Sequence, residues 1–395
     1  MNSILVIGLS TQIGLEIVRS LGKKGISVFG ADSSSDAIGF FSKYLKKKFV
    51  IPFAPESIFI ENVINILKTY PEISAIIAIS ERNITVLNKH RKELEKRVKL
   101  LFPPQNVMDF ALNKRKTFEI ASSLGIPLPK TIFVDSFEEV QKAKYMDYPL
   151  IIKPYVRDYE DPHQLSLDFR VKYIFSFEEL LKEMERYKSV KVYPMIQSLC
   201  DGEEIGFSVI MAFGEPRVCF QYLNYHLSPV MGGVPILRKS VAISSKIKEY
   251  SISLLKEINW EGVAELDWIK DHRDGEYKLL EINGRFWGGT PLPSRAGLPF
   301  PSLLYKALIE NKRFYREDYK IGIKCCLLGG ETKRLLEILR APNGYFGFSK
   351  FKAIKEYLSL FIDPSSYFDI QSKEDPLPGI MDLWFMFKKW IGLND

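Results

Sequence analysis

The sequence predicts a multidomain chain of mixed α/β and α+β class. A parallel α/β domain comes first, antiparallel sheets follow, and a mostly helical stretch closes the chain. Three observations predict this. At 395 residues the chain exceeds one ordinary core and implies two or three domains. Residues 4–32 read strand, glycine turn, amphipathic helix, strand, which is a βαβ unit. Residues 262–283 read as two strands joined by a polar, Gly-terminated turn, which is a β-hairpin.

Composition sets the class. Hydrophobic residues make up 46% and aromatics 13% of the chain, a packed globular protein and not a disordered one. Net charge +7 suits an anionic ligand such as a nucleotide without requiring nucleic acid. The four cysteines have no metal-ligand spacing, and vicinal Cys325-Cys326 are poor partners for each other. Reduced thiols and a cytoplasmic location are expected. No apolar run approaches the roughly 20 residues of a membrane span.

The first domain is expected over residues 1–103. Strand 4–7 is wholly apolar, as buried parallel strands are. Gly8 and Gly14 flank the turn into helix 15–21, Gly25 ends that helix, and strand 26–32 ends on Asp32. The glycine spacing is G-x-x-x-x-x-G rather than G-x-G-x-x-G, yet Asp32 sits where a dinucleotide fold keeps its ribose acid, so an NAD(P)-dependent oxidoreductase is one alternative. Strand 73–79 leads to Ser80-Glu81, at the sheet edge where open α/β sheets bind ligands. A helix is expected over 84–97.

Pro103-Pro104 marks the boundary, and a single helix over 107–124 follows, carrying Asn113 and Lys114. Strand 149–153 ends on Lys153 and is stopped by Pro154, so the ammonium can project into a cleft and meet phosphate. Residues 155–170 contain no glycine. Ser176 with Glu179 forms a capping box for helix 177–187. Strands are expected over 190–196, 205–212 and 218–224, and a helix over 245–257.

The chemistry concentrates in the hairpin. Alternation places Asp267 on one face of its strand and Glu281 with Asn283 on one face of the next. A paired register brings the three together. Two carboxylates and a carboxamide are oxygen donors suited to Mg²⁺ (or Mn²⁺), with nucleotide phosphate completing the shell. Arg285 lies on the same side as Asn283, where a guanidinium can clasp phosphate.

This stretch resembles the metal-binding core of the ATP-grasp superfamily. Arg285-Phe286-Trp287-Gly288-Gly289 and Ala296-Gly297-Leu298-Pro299-Phe300-Pro301 are similar to the branch nearest the carbamoyl-phosphate synthetase large subunit and its stand-alone carboxylate–amine ligases. The resemblance covers roughly residues 1–310 as an ordered series. It implies a Rossmann-like domain over 1–103, an ATP-grasp domain over 104–310 with a lid near 125–196, and an extension over 311–395. It implies ATP and Mg²⁺ as cofactors, with Asp267, Glu281 and Asn283 as metal ligands and Arg285 and Lys153 as catalytic cations. Lys114 and Lys153 contact phosphate, Tyr193, Met195 and Ile196 hold the base, and Glu204 or Glu203 binds ribose. Glu81 resembles an acid the family keeps at that turn; it reads equally as a helix N-terminal acid. The family's Gly-rich loop is replaced by 155–170: either Arg157, His163 or Arg170 supplies the contact, or the loop is a substrate-selective lid, or catalysis is weakened. His226 or Arg238 could supply the basic residues that relatives place between 218 and 238.

The implied activity is ATP-dependent joining of a carboxylate to an amine, or less often a thiol, through an acyl phosphate, with small-molecule substrates and no nucleic acid. The alternatives are a non-catalytic Mg·ATP-binding scaffold and the oxidoreductase above. Lys312–Lys320 reads as a charged linker. The apolar, aromatic and basic tail 381–391 either packs on the body or makes a weak membrane or protein contact; a homodimer is also possible.

Overall fold

The computed structural model describes residues 3–156, 171–189, 192–230, 232–347 and 349–392. Five parallel strands, β1 (Ser3–Ile7), β2 (Ser27–Asp32), β3 (Leu45–Val50), β4 (Ile73–Ala78) and β5 (Lys99–Leu100), form the first sheet in the order β3-β2-β1-β4-β5. β1 is buried along its whole length. Helices α1 (Gln12–Gly22) and α2 (Glu56–Thr69) are two of its crossovers. Gly14 is required here, because a Cβ at that position would lie 2.2 Å from the Gly8 carbonyl oxygen.

Two long helices expected from periodicity are each broken in two. Residues 84–97 fall in α3 (Glu81–Lys89) and α4 (Arg91–Leu94), with His90 between them at φ −101° and ψ 13°. Residues 107–124 fall in α5 (Gln105–Leu112) and α6 (Lys114–Ser123). Asn113 ends one and caps the other, its Oδ1 accepting from Arg115 N at 3.0 Å. That cap makes Lys114 the first residue of α6.

A small antiparallel sheet follows, of β6 (Thr131–Ile132), β7 (Leu150–Lys153), β8 (Lys172–Ile174) and β9 (Met195–Ser198), in the order β6-β9-β7-β8. Helix α7 (Phe177–Glu185) covers it, capped by Ser176 Oγ, which accepts from Glu179 N at 3.1 Å. This lid has a core of its own, in which Ile152, Leu180, Tyr193 and Ile196 meet. The expected strand 190–196 begins only at Met195; residues 190 and 191 lie outside the described ones.

The large sheet has the order β14-β13-β10-β11-β12-β15-β16. It comprises β10 (Gly202–Ala212), β11 (Glu215–Ser228), β12 (Val234–Ser240), β13 (Gly262–Asp271), β14 (Tyr277–Asn283), β15 (Lys324–Cys326) and β16 (Ser366–Phe368). Its helices are α8 (Ser245–Glu257), α9 (Pro291–Ala296), α10 (Phe300–Leu308), α11 (Leu328–Arg340), α12 (Lys350–Ile362) and α13 (Pro376–Trp390). Its core is continuous with that of the first sheet: Leu5, Ile7 and Phe59 belong to one apolar cluster with Trp268, Leu279 and Ile282.

The last 85 residues are thus more than helices. They add two strands to the large sheet, β15 antiparallel to β12 and β16 parallel to β15. The expected linker 312–320 is also structured: Arg316 bonds the main chain of Arg217 and Cys219 at 2.8 and 3.0 Å. Two buried ion pairs fasten this segment. Arg238 of β12 meets Asp369, and Arg19 of α1 meets Asp375 at 2.9 Å.

Candidate active site

The site is built on β13 and β14. Their register sets Asp267 opposite Glu281 and Glu265 opposite Asn283. Directly paired residues of an antiparallel ladder share a face, so three carboxylates and a carboxamide project together. The sequence pattern marks Asp267, Glu281 and Asn283 as ligands; the same alternation puts Glu265 on the face of Asp267 but gives it no role. Glu265 is buried and takes Asn283 Nδ2 at 2.8 Å and the Tyr222 hydroxyl at 2.8 Å. Asn283 Nδ2 also reaches Asp267 Oδ2 at 3.2 Å. Tyr222 lies over Gly206, where a Cβ would strike its ring at 2.1 Å, so glycine is needed there to seat the tyrosine.

Cations converge from three other elements. Lys114, from the first turn of α6, hydrogen-bonds Glu281 Oε2. Lys153, at the end of β7, shares a cavity of about 680 Å³ with Lys114, Asp267, Glu281, Asn283 and Arg285. Glu81, Glu204 and Asn224 line the same cavity. Arg285 reaches Asn283 Oδ1 at 3.4 Å and comes within 3.4 Å of buried Glu81. Glu204 accepts from Asn224 Nδ2 at 3.4 Å, and burial raises its pKa.

Electrostatics follow from this crowding. Burial, then the charges of Glu265 and Glu281, hold the Asp267 carboxyl well above the usual carboxylate range. Glu265 is raised by burial. Burial and the neighbouring Lys114 push Lys153 down to about 8. A carboxylate cluster with raised pKa values is short of positive charge, and its donors are all hard oxygens, so the residues fit a divalent cation. Two adjustments accompany that fit: Lys114 must release Glu281, and the Asn283 amide must turn its oxygen inward. As they stand, no three His, Cys, Asp or Glu side chains among the described residues are set to hold a metal.

Other expected residues lie elsewhere. Glu203 is exposed on β10 opposite Lys270, while its neighbour Glu204 faces the cavity. Tyr193 and Ile196 are in the lid core, and Met195 is fully buried opposite Lys153; none of the three lines the cavity. The reason is that β9 starts at Met195, so alternation sends Ile196 into the lid. His226 is bound to Glu331 at 2.9 Å, and Arg238 is taken by Asp369; neither lines the cavity. Arg157, His163 and Arg170 fall outside the described residues. Asp32 lends the oxidoreductase alternative no support. Its two oxygens are engaged by Leu9 N, Ser10 N, Ser10 Oγ and Ser34 N at 2.5–3.0 Å, so it shapes the first turn.

No family model matches the chain. Among curated proteins, the D-aspartate ligase of Enterococcus faecium is 22% identical over 71% of this chain and 70% of its own length. The carbamoyl phosphate synthase large chain of Clostridium acetobutylicum is 23% identical over 68% of this chain, a match that spans 25% of that longer protein. Among solved structures, the biotin carboxylase domain of Hydrogenobacter thermophilus 2-oxoglutarate carboxylase, in complex with MgADP, ADP and bicarbonate, superposes with a TM-score of 0.63 at 17% identity, covering 82% of this chain and 73% of that one. Three sheets in this arrangement, an acid-bearing hairpin under a small lid, and these relatives agree with the ATP-grasp resemblance: in sequence the chain is similar to the carbamoyl phosphate synthase large chain and to D-aspartate ligase, and in fold to that biotin carboxylase domain.

Proposed function

We propose that the chain is an ATP-dependent ligase that joins a carboxylate to an amine through an acyl phosphate, releasing ADP and phosphate. One observation carries the reading. The carboxylates of Asp267 and Glu281 stand on one hairpin face with Asn283, and Lys114, Lys153 and Arg285 border the same cavity. Phosphoryl transfer needs positioned charge more than a nucleophilic side chain, and this cavity is lined with charge of both signs.

Asp267, Glu281 and Asn283 would hold Mg²⁺, or Mn²⁺ with the same oxygen preference. The bound ion supplies charge neutralisation for the nucleotide phosphates. Lys114 and Lys153 hold the phosphates against their own repulsion. Arg285 steadies the phosphoryl group in flight, with its fork fixed by Glu81 and Asn283. Glu204 takes ribose hydroxyls. The side chains of Tyr193 and Ile196 are committed to the lid core, so the base is read there by main-chain groups. Small-molecule carboxylates and amines are the substrates, and the turn at Ser80-Glu81, which lines the cavity, is placed to meet them.

The test is ADP release over a panel of carboxylates paired with amines. Wild type should release ADP only when an acceptor pair is present. Glu281→Gln should lower that rate by at least about 100-fold, the scale of losing one charged stabiliser. Undiminished turnover in that variant, or ADP release with no pair in the panel, overturns the reading.

A further inference from the structure

Helix α13 has two apolar faces, and the molecule uses one. Met381 and Phe385 of the inner face pack with Leu15, Ile38 and Leu327. The start of the helix is pinned by buried Asp375, which accepts from Arg19 Nε at 2.9 Å, Ser42 Oγ at 2.7 Å and Lys43 N at 3.0 Å. Asp382, the single acid of the helix, points away from solvent toward Gln371, whose Nε2 it takes at 2.8 Å. The outer face presents Leu377, Ile380, Trp384, Phe387 and Ile391, all exposed. Their alternating spacing of three and four makes one stripe along the helix.

The charge on this face is of one sign. Lys388, 6.0 Å from the Trp384 ring, and Lys389 are the charged residues of its last turn. Helix α12 repeats the composition: Phe351, Ile354, Leu358 and Phe361 are exposed beside Lys352 and Lys355. Its one acid, Glu356, lies 3.7 Å from both His226 and Arg334. Half of the large apolar side chains exposed among the described residues lie on these two helices and at Ile391. Single exposed apolar residues need no explanation, but contiguous stripes do.

A buried ion pair therefore holds an apolar, cation-edged face outward. A second copy of this chain would bring the same positive charge to the seam. A surface that is apolar within and negative at its rim satisfies both features. We propose that the outer face of α13 lies on an anionic lipid bilayer as an interfacial helix. Trp384 and Trp390 sit at headgroup depth, and Lys388 and Lys389 reach lipid phosphates. The attachment is in the plane of the surface; no described helix is long and apolar enough to cross a membrane.

The test is flotation of the full chain with vesicles of mixed phosphatidylglycerol and phosphatidylcholine, against pure phosphatidylcholine. Partition onto the anionic vesicles should exceed that onto neutral ones by roughly tenfold or more at low salt, with a blue shift of tryptophan emission. The triple variant Trp384→Glu, Phe387→Glu, Trp390→Glu should lose the partition by about the same factor, yet keep its melting temperature and vesicle-free ADP release. The emission shift of the unmutated chain decides the matter if that variant misfolds. Absence of partition, equal partition onto both vesicles, or a concentration-dependent dimer in sedimentation that the variant abolishes would each overturn the proposal, the last in favour of a second copy.

Discussion

Lys114 hydrogen-bonds the carboxylate of Glu281, a residue 167 positions away. The contact exists because Asn113 breaks the helix and turns Lys114 toward the hairpin. The ammonium stands where a metal's charge is needed. Lys114→Met should therefore bind free Mn²⁺ about tenfold more tightly than wild type, while Mg·ATP binds more weakly for want of a phosphate contact. Paramagnetic resonance titration of Mn²⁺ measures the first and calorimetry the second. Weaker Mn²⁺ binding in the variant would show that Lys114 is not a competing cation.

Asp267 bears on stability. Its folded pKa is raised, by burial first and then by Glu265 and Glu281. A raised carboxyl adds stability that is present at low pH and lost as pH rises through the folded value. Asp267→Asn mimics the protonated form, so at neutral pH it should stabilise the ligand-free protein by about 1–2 kcal/mol while removing ligase activity. The gain in melting temperature should shrink as pH is lowered below the raised pKa. A constant gain at all pH values would mean that charge is not the cause.

For Lys153 the sign is opposite. Burial and Lys114 lower its pKa to about 8, so it loses its charge as pH rises through that value. Nucleotide affinity should fall above pH 8, by up to about tenfold per pH unit, with proton uptake on binding. Lys153→Arg keeps its charge and should flatten the profile. Calorimetry in buffers of different ionisation enthalpy reads both effects.

Glu265 touches Asn283 and Tyr222. It orients the amide that faces Asp267. Removing such a support weakens metal affinity by roughly 10–100-fold. Glu265→Leu should lower Mn²⁺ affinity on that scale with the fold intact. Tyr222→Phe should have a smaller effect in the same direction.

The sequence revealed the site better than it revealed its supports. The hairpin was legible because strand alternation fixes which of its acids face together. Asn113 caps α6 with its side chain, which the helical periodicity of 107–124 hides. A one-residue break inside two turns of good helical periodicity leaves no other local mark. Strands β15 and β16 are three residues each and gave no period to read. The pairing of Arg238 with Asp369 spans 131 positions, so a buried counter-ion looked like a possible phosphate ligand. The strand expected over 190–196 begins only at Met195, so the ring of Tyr193 and the methyls of Ile196 fill the lid core instead of meeting the nucleotide.

Anyone seeking a minimal fragment would be tempted to trim the chain near residue 310, where the family resemblance fades. The two buried ion pairs argue against it. Without Asp369 and Asp375, the guanidiniums of Arg238 and Arg19 would remain in apolar surroundings with no counter-charge. The smallest piece that folds must run past Asp375, and a chimera that exchanges the C-terminal segment must carry both arginines along with it.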